Sequence, residues 1–167
     1  MVLTTTIRAL KYHGGADLKS LTTPNVEALK KGLPNLEKHL ENISKFRVAP
    51  VIAINKFSTD TKEEIQVIKA FAKSKHVKVA LADVWAKGGD GALQLAQEVV
   101  DIIDSNVSDF KPLYQWGLPV KEKIETIATE IYGAEYVDYT SKAKAQLKRI
   151  SKLGLDHLPV CIAKTQK

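Results

Sequence analysis

A single cysteine, Cys161, leaves this sequence without an intramolecular disulfide. That excludes the small cross-linked secreted scaffolds and agrees with a reducing compartment. No apolar run approaches the roughly 18 to 20 residues that a membrane-spanning helix needs, and Met1-Val-Leu-Thr-Thr-Thr-Ile7 lacks the basic stretch of a signal peptide. The expected location is cytoplasmic, with no membrane partner. Histidines are few and scattered: His13, His39, His76 and His157 show no H-x-x-x-H spacing, and there is no C-x-x-C or carboxylate–histidine cluster, so no metal site is expected. Cys161 lies in an apolar segment and reads as a small buried core residue rather than a nucleophile. Also missing is G-x-x-x-x-G-K-[ST], the loop whose backbone amides cradle nucleotide phosphates.

Charge of one sign is not in great excess. The 25 lysines and arginines are set against 19 acidic residues, a net charge of +6, and no basic–aromatic interleaving accompanies it. No nucleic-acid partner is expected. The densest basic stretch, Lys142 to Lys152, places Ala143, Leu147 and Ile150 on one helical face and its lysines on the other, the pattern of a solvated surface. With 44% apolar residues over 167 positions, the chain is long enough to bury a sizeable core.

What the sequence does have is a pair of apolar runs that end in polar residues and a lone aromatic. Val51-Ile-Ala-Ile-Asn55 has the β-branched character of a central parallel strand and runs into Lys56-Phe57. One βαβ unit later Val77-Lys-Val-Ala-Leu-Ala82 runs into Asp83-Val84-Trp85. Open parallel sheets bind ligands beyond the carboxyl ends of their strands. If the two strands are neighbours, Phe57 and Trp85 leave the same edge and face each other across a slot suited to a flat ring such as a nucleobase or a pterin. The alternative is that both rings plug the top of the sheet. Asn55 at the strand end offers a donor and an acceptor to a heterocycle edge. Asn55-Lys56 also has the start of the base-reading N-K-x-D signature, but Asp60 comes two residues too late for it.

Around these runs the sequence predicts a strand over Val2–Leu10, a glycine-bearing loop over 11–15, and a helix after Thr23-Pro24 that Pro34 breaks or kinks. A helix is expected to start near Asp60-Thr-Lys-Glu63. Gly88-Gly89-Asp90-Gly91 is expected to open a further helix through Ala92, Ala96, Val99 and Ile103. Residues 105–118 read as a linker. Pro119 starts a helix ending at Gly133, the basic helix runs from Ser141 to Gly154, and short strands are expected at 136–139 and 159–163. The fold class is therefore α/β, a mostly parallel sheet with flanking helices over 1–105, followed by a linker and a smaller C-terminal α/β segment over 106–167.

Several segments together resemble formate–tetrahydrofolate ligase: Arg8-Ala-Leu-Lys-Tyr-His-Gly-Gly15, Ala53-Ile-Asn-Lys-Phe57 with Thr59-Asp-Thr61, Val84-Trp-Ala-Lys-Gly-Gly89, Lys121-Glu-Lys-Ile-Glu-Thr-Ile-Ala128, Ile131-Tyr-Gly-Ala134 and Leu158-Pro-Val-Cys161 with Ala163-Lys-Thr-Gln166. The resemblance covers essentially the whole chain in order. It implies a P-loop NTPase-like core, here incomplete, and a ligase that spends ATP with magnesium on formate and passes the formyl group to N10 of tetrahydrofolate, with no tightly bound cofactor. It implies that Phe57 and Trp85 hold the pterin and that Asn55, Lys87, Gly88 and Gly89 lie near the nucleotide, while the catalytic residues have no counterpart here. A homo-oligomer, as in the family, is admitted. The family's proteins are several times longer, so the chain resembles an internal to C-terminal portion that is inactive alone. The competing reading is a non-catalytic folate-binding or assembly module that needs another chain for the phosphate loop.

Overall fold

Val51-Ile-Ala-Ile builds the centre of the sheet, and all four of these residues are buried. The computed structural model describes residues 1–163, and the chain divides into two units, Met1–Phe110 and one that starts at Lys111. In the first unit β1 (Val2–Thr5), β2 (Val51–Asn55) and β3 (Lys78–Ala82) lie in that order in a three-stranded sheet. Both pairings are parallel, with Val2 opposite Val51 and Asn55 opposite Ala82. The α/β class and the parallel sheet with flanking helices are as expected.

One face of the sheet carries the core. Ile52 and Ile54 of β2 pack with residues of α1 (Ile7–His13), α2 (Val26–Ser44) and α3 (Lys62–Ser74), among them Ile7, Leu29, Leu36 and Ile68. Burying each such side chain contributes roughly 1.5–3 kcal/mol. Both crossovers step the same way along the sheet, and right-handed connections then place their helices on the same face. On the opposite face Val2 and Val51 meet Val99, Ile102 and Ile103 of α5 (Leu93–Asp104) around a cavity of about 360 Å³. Between β3 and α5 come a short α4 (Val84–Lys87) and a 3-10 segment, Gly88–Ala92.

Four expectations are corrected in this unit. The first strand ends at Thr5, because Thr6 caps a helix by accepting the Ala9 amide at 3.0 Å, and residues 7–13 turn helical with Ile7, Leu10 and Lys11 facing inward. Most of the expected loop over 11–15 therefore belongs to α1. Pro34 does not break α2, which runs unbroken from Val26 to Ser44. Pro34 sits on the exposed side, and the buried stripe Leu29, Gly32, Leu36 and Leu40 offsets a proline cost of about 3 kcal/mol. Finally, Gly88–Gly91 form the 3-10 segment, and the α-helix opens only at Leu93.

Gly14 and Gly32 set how closely α1 crosses α2. A Cβ on Gly32 would lie 1.8 Å from the Leu10 carbonyl oxygen, and one on Gly14 would lie 1.8 Å from that of Ala28. Only hydrogen fits at either position.

The second unit holds α6 (Val120–Glu130) and α7 (Ser141–Lys152). The strands expected over 136–139 and 159–163 are absent among its described residues. Side chains satisfy that backbone instead. The Lys123 ammonium, fully buried, donates to the carbonyl oxygens of Asp156 and Leu158, and the Tyr114 hydroxyl accepts the Val160 amide at 2.8 Å. With no buried strand to occupy, Cys161 is exposed rather than in a core. On α7, Ala143, Leu147 and Ile150 are half-buried while the lysines face solvent, the expected solvated face. Among the described residues no helix is long and apolar enough to cross a membrane.

Candidate functional site

The register that sets Asn55 opposite Ala82 makes β2 and β3 end level, and a bond from the Lys56 amide to the Ala82 carbonyl (3.0 Å) extends the ladder by one more step. Everything that follows those two ends therefore emerges at one edge. After β2 the chain turns sharply. The Asp60 carboxylate accepts the Phe57 amide at 2.8 Å, and the Asp60 amide donates back to the Phe57 carbonyl at 3.1 Å. Burial pushes the Asp60 carboxyl above its usual range, and the Glu64 charge adds to this. The Phe57 amide, Arg8 and Lys11 act against it without cancelling it.

Behind this turn lies a buried ionic knot. Lys11 is 1% and Glu64 0% exposed. The Lys11 ammonium donates to Glu64 Oε1 at 3.0 Å and to the Thr23 carbonyl at 2.9 Å. The same Oε1 accepts the Asn25 amide at 2.9 Å, while Oε2 accepts the amide and hydroxyl of Thr61, each at 3.2 Å. Asn25 caps α2 and Thr61 caps α3 in a reciprocal capping box. One carboxylate thus pins the starts of two helices to α1. Burial raises the Glu64 pKa, but the Asn25 amide, Lys11 and the Thr61 amide outweigh it and hold the carboxyl below its usual range.

After β3 the anchor is Asp83, which takes the Lys56 ammonium at 2.9 Å and lies 3.8 Å from that of Lys87. Its amide donates to the Gly91 carbonyl at 3.0 Å, so the 3-10 segment folds back against the strand end. Gly91 is required there: a Cβ would stand 2.3 Å from the Asp83 carbonyl oxygen. From this base α4 projects Trp85, which is 88% exposed.

Between the two strand ends is a cavity of about 310 Å³ lined by Asn55, Lys56, Phe57, Ser58 and Trp85. That volume is at the small end of ligand sites, roughly 300–1,000 Å³. Two aromatic walls, an amide, a hydroxyl and a tethered cation suit a flat heterocycle with polar edges. Of the residues singled out from the sequence, Asn55, Phe57 and Trp85 meet here. Lys87, Gly88 and Gly89 do not line the cavity: all three are exposed, and the space around Gly88 and Gly89 is open.

Sequence reasoning missed Lys56 and Ser58 as lining residues, Asp83 as the anchor, and Arg8 behind Phe57. The available signal was the spacing Arg8, Lys11, Tyr12, which puts two cations on one helical turn pointing toward the strand ends. Among the described residues no group of three or more His, Cys, Asp or Glu is placed to hold a metal ion.

A level strand edge with an aromatic-walled cavity beyond it defines an α/β protein with a candidate small-molecule site at the carboxyl ends of its strands. The chain belongs to the formate–tetrahydrofolate ligase family, whose model matches residues 1–167. That is a family of ligases acting on formate and tetrahydrofolate.

Proposed function

We propose that residues 1–105 form the folate side of a formate–tetrahydrofolate ligase and that Phe57 and Trp85 sandwich the pterin ring of tetrahydrofolate. The observation that carries this is the shared cavity: both rings line one slot whose volume and polar rim fit a pterin. Each ring adds about 0.5–1.5 kcal/mol beyond burial. Asn55 and Ser58 supply edge contacts to the heterocycle, and Lys56, fixed by Asp83, supplies a localised positive charge rather than a roaming one.

ATP and magnesium are the other substrates that the family reading brings. Phosphoryl transfer depends on positioning and charge stabilisation by a phosphate loop, its lysine and bound metal. These 167 residues contain no G-x-x-x-x-G-K-[ST]. The described residues offer no metal-binding cluster either, so no step is assigned to a metal on them. In this reading the phosphate-handling parts belong to another segment or chain. Lys87, Gly88 and Gly89, exposed beside Asp83, remain nucleotide-proximal candidates on the strength of the family pattern alone.

The missing phosphate loop also favours a second reading, a folate-binding or assembly module that does no chemistry by itself. Calorimetric titration with tetrahydrofolate and with ATP, alongside an assay with ATP, formate, magnesium and tetrahydrofolate, separates the readings. Tetrahydrofolate binding without turnover is expected of the chain alone. Turnover near that of a complete ligase would overturn the division of labour, and absence of tetrahydrofolate binding would overturn the folate site.

A further inference from the structure

Phe57 has two faces, and one of them is already occupied. The Arg8 guanidinium lies over the ring with its central carbon 4.1 Å from the centroid. Its Nη2 donates to Thr59 Oγ1 at 3.2 Å, so the cation is tied to the far end of the same turn. Its Nε is shut away from solvent with no hydrogen-bond partner, and the ring below the guanidinium is the contact that favours the half-buried cation. The Phe57 amide is meanwhile fixed by Asp60. Both the backbone and the ring of this residue are therefore held, and Phe57 lines the cavity while Arg8 does not.

A cation pressed on one face of a phenyl ring also draws its π density toward that face. The open face becomes a poorer donor and a better partner for an electron-rich ring. Reduced pterins are electron-rich, with a saturated second ring that feeds its nitrogen lone pairs into the pyrimidine, whereas the fully oxidised pterin of folic acid is electron-poor. We propose that Arg8 is a positioning and specificity residue: it sets the Phe57 ring for stacking and biases the site toward the reduced over the oxidised pterin. This rests on the reading of Phe57 and Trp85 as the pterin clamp.

The test is titration of the full chain with tetrahydrofolate and with folic acid under anaerobic conditions, followed by calorimetry and by tryptophan fluorescence in a Trp116→Phe background, for the wild type and for Arg8→Leu, Arg8→Lys and Thr59→Val. Arg8→Leu is expected to weaken tetrahydrofolate binding about tenfold and folic acid binding far less, so that the ratio of the two affinities collapses. Arg8→Lys keeps most of that ratio because the charge remains. Thr59→Val, an exposed change that releases only the Nη2 tether, falls between them. A purely structural Arg8 would weaken both ligands alike and leave the ratio unchanged, and that result overturns the proposal. If the wild type binds neither ligand, the pterin clamp and the Arg8 role fall together. If it binds tetrahydrofolate and Arg8→Leu and Thr59→Val do so with unaltered preference, only the Arg8 role falls.

Discussion

The two walls of the cavity are built in opposite ways. Phe57 is half-buried, its amide closed onto Asp60, its rear face covered by Arg8 and its turn rooted in the Lys11–Glu64 knot. Trp85 stands 88% exposed on a four-residue helix whose N-cap makes no side-chain hydrogen bond. One wall is preorganised by tertiary structure. The other has little besides its backbone to hold it. Preorganisation lowers the entropy cost of binding, and an exposed aromatic supplies the apolar area that closure removes from water. On the proposed folate reading, the asymmetry divides the site into a part that orients the ligand and a part that retains it.

The largest effect expected from breaking this comparison is at the root of the Phe57 wall. Glu64→Ala leaves the Lys11 ammonium buried without its carboxylate and leaves the Asn25 and Thr61 amides, at the starts of two helices, without their acceptor. It should cost about 3–5 kcal/mol, read as a lower midpoint in urea unfolding. The depressed Glu64 pKa sets a matching pH dependence. Its stabilisation is complete above the unfolded carboxyl value of about 4.3 and is lost as pH falls through the lower folded value. In Glu64→Gln that acid-side loss should be smaller.

Gly91→Ala attacks the other wall. The added methyl meets the Asp83 carbonyl and should cost about 1–3 kcal/mol, with tetrahydrofolate affinity falling too because the base of α4 is displaced. Thermal unfolding and calorimetry report the two effects separately. Trp85→Ala, by contrast, should leave stability within about 0.5 kcal/mol and raise the tetrahydrofolate Kd about tenfold. Loss of stability in this variant would show that Trp85 is part of the fold's support and would erase the distinction between the walls.

The smallest effect is at Asp60. Its carboxyl is raised, so the folded state holds the proton more tightly than the unfolded one. Stability then falls slightly as pH rises from the unfolded carboxyl value through the raised folded value, a slope opposite in sign to that of Glu64. Asp60→Asn should abolish that slope in urea midpoints measured across the acid range, while the amide oxygen continues to accept the Phe57 N–H.

The half of this site that rests on strands was legible in the sequence. Apolar runs of β-branched residues ending in Asn55 and Ala82 gave away both strands, and the alignment of their ends followed from parallel pairing. The half that rests on side chains was not. Nothing in the sequence marks Lys11 and Glu64 as buried, since charged residues are buried only in pairs that sequence alone does not reveal. Ile7 and Leu10 extend an apolar start that suits a strand as well as a helix, and Thr6 decides between them by capping. The segments 136–139 and 159–163 carry strand-like composition, but a ladder also needs a partner strand, and in the second segment the Tyr114 hydroxyl accepts the Val160 amide instead.

The Glu64 carboxylate receives donors from Lys11, Asn25 and Thr61, which lie 53, 39 and 3 residues away in sequence. Its full set of donors needs all three helices: without α1 the carboxylate loses the Lys11 charge, and without α2 it loses the Asn25 amide. Half-formed intermediates of this layer are therefore penalised, and the three helices assemble and come apart as one cooperative block. The turn that carries Phe57 starts one of those helices, so the orienting wall of the cavity persists as long as that block does and disappears with it in a single step.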